Sequence, residues 1–148
     1  MRLIATAIAF LLVTTTAHAQ TLVSRESKFG VKETIDRLAS ELEKRGMKVA
    51  ARIDHAAGAK SAGMEMPPTE VVMFGNPKLG TPLMLSAPSI AIDLPMRMVA
   101  WQDKAGKVWI GYTAPDTLKQ RYGISDRDEQ FKAMSGALDA LAKAASGS

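Results

Sequence analysis

His55 is the residue best suited to acid–base or metal chemistry. Once an N-terminal export segment is removed it is the only histidine, and the chain has no cysteine. An imidazole titrates near neutral pH and serves as general base or metal ligand when a carboxylate orients it. Two aspartates could supply that carboxylate. Asp54 directly precedes His55, and Asp93 opens the segment Asp93-Leu94-Pro95. The competing role is structural, with His55 capping a helix or bonding a backbone carbonyl. The same residue counts also exclude chemistry. A zinc centre of several His or Cys ligands cannot be built within one chain. Thiol catalysis and a haem held by two histidines are excluded as well. A Ser-His-Asp triad would need His55, and no serine lies in a nucleophile-elbow sequence.

A second candidate is the stretch FGNPKLGTPLM at positions 74–84. Asn76 suits an N-cap and Pro77 the first helical turn, and Thr81-Pro82 offers the same start again. A proline inside a helix removes a hydrogen bond and clashes with the preceding turn. One of the two starts is therefore expected to be a loop or an irregular turn. Either arrangement leaves backbone N–H groups outward beside Lys78 and Gly80, which would suit an anion. The alternative is a strand-to-helix connection whose glycines permit tight backbone packing. Gly75 and Gly80 lack the spacing of phosphate-cradling and dinucleotide loops. Methionine is the third candidate. Met64 and Met66, and Met96 and Met98, form pairs two residues apart, and thioethers suit copper(I). Met73, Met84, Met96, Met98 and Met134 nevertheless occupy expected core positions, where methionine fills gaps well. Only Met64, Met66 and His55 could form an exposed cluster.

The elements that must position these residues begin with an export signal. Arg2, an apolar run over residues 3–13 and Ala17-His18-Ala19 match a secretory leader, cut after Ala19. The run is shorter than the ~20 residues a spanning helix needs. A periplasmic or secreted location is expected, with residues 20–148 as one domain. The whole-chain charge of +4 falls to +3 without Arg2, and the charges are scattered, so nucleic acid is not an expected partner. No later stretch is long and apolar enough to span a membrane.

Residues 21–27 read as a strand and residues 30–45 as a helix with Val31, Ile35, Leu38, Ala39 and Leu42 on one face, stopped by Gly46. Residues 47–55 alternate as a half-buried strand, followed by a short helix over residues 56–62. Residues 69–74 read as a central strand buried on both faces, with a short helix near residues 79–86. Residues 96–102 and 107–113 form a hairpin around Gly106, which places Trp101 opposite Trp109 and Met98 opposite Tyr112. Such an aromatic pair contributes roughly 0.2–1 kcal/mol, and packing against a helix or a second subunit is expected for it. Thr113-Ala114-Pro115-Asp116 opens the next helix, closed at Gly123. Ser125-Asp126-Arg127-Asp128 opens the last one, with Phe131, Met134, Leu138 and Leu141 as its apolar stripe and a frayed end at residues 146–148.

Arg52-Ile53-Asp54-His55, Pro67-Pro68-Thr69-Glu70, Phe74-Gly75-Asn76-Pro77, Gly80-Thr81-Pro82-Leu83-Met84, Asp93-Leu94-Pro95, Trp101, Gly106-Lys107-Val108-Trp109 and Tyr112 together resemble the DUF302 family, over about residues 28–124. The resemblance implies an α+β two-layer sandwich, helices packed on a mainly antiparallel sheet (the TT1751-like fold), and a homodimer. It names no activity and no cofactor. Three polar loop motifs kept together look like one site, which implies a pocket shared by Asp54, His55, Asn76, Thr81 and Asp93, with Lys78 and Gly80 beside it. Met66 and Ala114 depart from the family pattern. The expected function is a non-catalytic module binding a small ligand, an anionic one included, or a metal ion. The alternative is a small-molecule enzyme using His55 with Asp93.

Overall fold

The computed structural model describes residues 22–148, so the expected export segment lies outside the described residues. The chain runs through β1 (Leu22–Ser27), α1 (Val31–Lys44), β2 (Lys48–Asp54), α2 (His55–Ser61), β3 (Thr69–Gly75), α3 (Pro77–Ser86), a short 3-10 turn (Pro88–Ile92), β4 (Met96–Gln102), β5 (Val108–Thr113), α4 (Pro115–Arg121) and α5 (Asp128–Ser146). The strands form one antiparallel sheet in the order β1-β5-β4-β3-β2, with helices packed on it.

The hairpin has the expected register, Trp101 opposite Trp109 and Met98 opposite Tyr112. Met96, Met98 and Ala100 on β4, and Ile110 and Tyr112 on β5, are buried. Side chains alternate between the faces of a strand, so both tryptophans lie on the other face. There Trp101 packs on the sheet itself. A Cβ added to Gly111 would sit 3.2 Å from the Trp101 ring and 2.9 Å from the Val23 carbonyl. Trp109 donates its indole N–H to Asp103 (2.8 Å).

The helical layer follows the 3.6-residue stripes. Ile35, Leu38 and Leu42 of α1 and Phe131, Met134, Leu138 and Leu141 of α5 are all buried. Each such side chain contributes roughly 1.5–3 kcal/mol when removed from water. The chain end is not frayed. The Lys28 N–H donates to the Ser146 carbonyl (3.0 Å), Ser146 is buried, and Gly147 takes a left-handed conformation beside the Phe29 ring.

Four local expectations are corrected. β2 is an edge strand, with a register shift between Val49 and Ala51. Val49 (38%) and Ile53 (43%) are exposed, because alternation marks a face but not whether anything covers it. β3 is an interior strand, flanked by β4 and β2, but it buries only the face carrying Glu70, Val72 and Phe74, leaving the other partly open. Residues 77–86 form a single helix that starts after Asn76 and contains Pro82. Neither Thr113 nor Ser125 caps a helix: the N-cap positions are Ala114 and Arg127, without side-chain cap bonds. Pro115 at the first position and Asp128 and Glu129 in the first turn favour those starts instead.

Candidate functional site

Asn76 closes the start of α3 completely. Its side-chain oxygen accepts from the Lys78 N–H (2.9 Å), and its carbonyl accepts from Leu79 and Gly80 (2.9 and 3.0 Å). Pro77 has no N–H to offer. The amides expected to greet an anion are thus already used. Pro82 leaves the Lys78 carbonyl without its helical donor, a cost offset by burial of Leu83 (0% exposed) and by Arg127 donating to the Pro82 carbonyl (3.3 Å). The glycines permit close packing against the Leu94-Pro95 segment. A Cβ on Gly75 would lie 3.2 Å from the Pro95 Cβ, and one on Gly80 would lie 3.7 Å from Leu94.

Behind this corner lies a cavity of about 650 Å³ between the start of β2, the end of β3, α3, the Leu94-Pro95 segment and α5. Phe74, Met84, Leu94, Met96, Met134 and Leu138 make most of its wall. Asn76, Gly80 and Thr81 also line it, and among the described residues Lys48 is the one charged residue that does. No hydrogen bond of the Thr81 hydroxyl occurs among the described residues, so it is available to a ligand. The volume and the apolar wall with a few polar groups are those of small-molecule sites, ~300–1,000 Å³.

The expected site residues do not all meet here. Asn76, Gly80 and Thr81 do. Lys78 is exposed one residue from the wall residues Pro77 and Leu79. Asp93 lies next to the wall residue Leu94, but its carboxylate accepts from Tyr122 (2.6 Å), Arg121 (2.8 Å) and Arg97 (3.4 Å). The Tyr122 hydroxyl first, and then Arg121, hold its pKa below the ordinary aspartate value. This carboxylate ties the end of α4 to the segment before β4. Asp54 and His55 lie at the far end of the strand pair. β2 and β3 run antiparallel, with Lys48 opposite Gly75 and Asp54 opposite Glu70. At ~3.4 Å per residue the two ends are roughly 17–20 Å apart. Asp54 caps α2 by accepting from the Ala57 N–H (2.9 Å), and His55 is exposed at the first position of that helix. Beside them Arg52 bridges Glu70 and Asp36 (2.6 Å to Asp36), joining β2 to β3 and α1. The common pocket of Asp54, His55, Asn76, Thr81 and Asp93 is therefore corrected to a corner holding Asn76, Gly80 and Thr81. Met64 (61%) and Met66 (40%) are exposed, and no three His, Cys, Asp or Glu among the described residues are grouped to hold a metal.

The wall escapes a reading of the sequence. Met84, Met96, Met134, Leu94 and Leu138 occupy core positions by pattern, and nothing in a linear pattern distinguishes a filled core from one with a gap.

A family model described as a domain of unknown function, DUF302, matches residues 23–141. The chain is 45% identical over 127 residues, 85% of its length, to a protein named fluoride-specific ion channel FluC 1 from Brucella suis. The same identity and span hold for one named fluoride-specific ion channel FluC 2 from Brucella melitensis. The matches cover 50% and 47% of those proteins, so the chain spans about half the length of the curated relatives it matches. The fold matches the crystal structure of an uncharacterized conserved DUF302 protein from Bacillus stearothermophilus. The TM-score is 0.77 and the identity 20%, over 86% of this chain and 99% of that one. No helix among the described residues is long and apolar enough to cross a membrane.

Proposed function

The chain belongs to the DUF302 family, and on that premise we propose that it is a non-catalytic module that holds a small, largely apolar ligand in the cavity behind Asn76, Gly80 and Thr81. The observation that carries this reading is the cavity itself: about 650 Å³, walled mainly by carbon and thioether surface, opening beside a threonine hydroxyl. Methionine is polarizable and flexible, so Met84, Met96 and Met134 give a wall that adapts to a guest. The enzyme alternative has less support. His55 and Asp93 lie at opposite ends of the strand pair, and Asp93 is committed to Tyr122 and Arg121. A metal ligand set is supported neither at His55 nor among Met64 and Met66.

The module works outside the cytoplasm, a reading supported by the leader-like residues 1–19. It works as a homodimer, supported by the family resemblance and by the sheet face that carries Trp101 and Trp109 opposite the helices. The names of the relatives raise a second point. The chain matches about half the length of those proteins, and we infer that it corresponds to an accessory half of them. Proteoliposomes carrying this chain alone should pass no fluoride.

The test of the binding reading uses a neutral apolar fluorophore, N-phenyl-1-naphthylamine. Ala137 lines the cavity and is only partly buried, so Ala137→Trp fills the space with little disturbance of the core. Saturable fluorescence in the wild type, lost in Ala137→Trp at similar melting temperature, is expected. Equal signals in both proteins would refute the reading.

A further inference from the structure

Resting on the cavity reading above, we propose that the ligand is a single-chain amphiphile with a carboxylate head, its tail in the cavity and its head held by Lys48 and Lys78. Three observations point there. Among the described residues no acidic one lines the cavity, and Lys48 does. Neither Lys48 nor Lys78 makes an ion pair among the described residues, whereas the neighbouring Arg97, Arg121 and Arg127 are each held by an aspartate. A lysine ammonium with no partner is the group a carboxylate head would meet, while its long stem covers apolar surface. Asp36 and Glu43 line a second, more open depression that Lys48 also borders, but neither lies within ion-pairing distance of it.

The start of α3 sharpens the assignment. With its first amides taken by Asn76, the charge complement must come from the lysines, and the Thr81 hydroxyl and the amide nitrogen of Asn76, neither bonded among the described residues, add neutral donors. A small hydrated anion would find too little here to replace its water. An amphiphile would not depend on the head alone, because its tail meets Phe74, Met84 and Met134. Leu85 (76%) and Ile92 (79%), which follow the wall residues Met84 and Ala91 in the chain, are exposed.

The experiment is displacement of N-phenyl-1-naphthylamine from delipidated full chain by dodecanoate and, separately, by dodecanol. Dodecanoate should compete on the order of ten-fold better. In the Lys48→Gln/Lys78→Gln double variant that preference should vanish while dodecanol competes as before. Raising the ionic strength should narrow the gap in the wild type, since the lysines are exposed to solvent. Equal competition by acid and alcohol in the wild type, or a preference that survives the double variant, would overturn the head-group assignment and leave the cavity reading standing. A wild type that binds neither dye nor dodecanol would overturn the cavity reading itself.

Discussion

The two ends of the β2–β3 ladder use the same device for different purposes. At the Glu70 end Asp54 caps α2, and at the Gly75 end Asn76 caps α3, each through a side-chain oxygen accepting a first-turn amide. α2 buries none of its residues. α3 drives Leu83 into the core and contributes Met84 and Thr81 to a cavity. A cap alone therefore does not mark a site. What the capped helix packs against decides whether a polar corner borders a space where a ligand can be held.

The largest expected contrast between the ends is in packing. Leu83→Ala should destabilise the protein by about 2–5 kcal/mol, read by urea melts, because it empties a fully buried position. Ala59→Gly on α2 should cost no more than about 1 kcal/mol, the propensity difference, since that helix supports no core. A comparable loss from both would break the contrast.

Asp93 comes next. Its carboxylate, held below its ordinary pKa by Tyr122 and Arg121, contributes stability that is complete at neutral pH and lost as pH falls below about 4, through the depressed folded value. Asp93→Asn should cost about 1–3 kcal/mol near pH 7. The gap between wild type and variant should shrink as the pH is lowered below the ordinary aspartate value. A gap independent of pH would show that the ion pairing contributes nothing.

Asn76→Ala removes one cap and should cost about 1 kcal/mol. Combined with Thr81→Val it should weaken ligand binding strongly while the melting temperature falls by only a few degrees. A collapse in melting would make that corner structural. Smallest of all is His55→Ala, expected to change stability by less than about 0.5 kcal/mol and to leave dye binding unchanged. Lost binding in that variant would return the site to the α2 end.

Much of the fold is legible in the sequence, for identifiable reasons. Gly106 sets the hairpin loop, and the loop sets the register that pairs Trp101 with Trp109. The stripes of α1 and α5 are long enough for their period to be unambiguous. β2 is less legible because an edge strand and an interior strand share one alternation. Pro82 defeats the helix rule because a single lost hydrogen bond is outweighed by what Leu83 and the Asn76 cap supply. The site is legible in its polar corner only. Asp54 and His55 share a polar character with Asn76, yet the direction of strand pairing carries them to the opposite end of the ladder. The wall residues are visible as core positions, but the gap among them is a property of three-dimensional packing.

The most direct test is an amide NMR titration of the full chain with N-phenyl-1-naphthylamine. Shifts concentrated at Phe74, Gly80, Thr81, Met84, Met96 and Met134, with residues 54–61 unmoved, are the predicted result. Shifts centred on Asp54 and His55, or on the sheet face of Trp101 and Trp109, would contradict it.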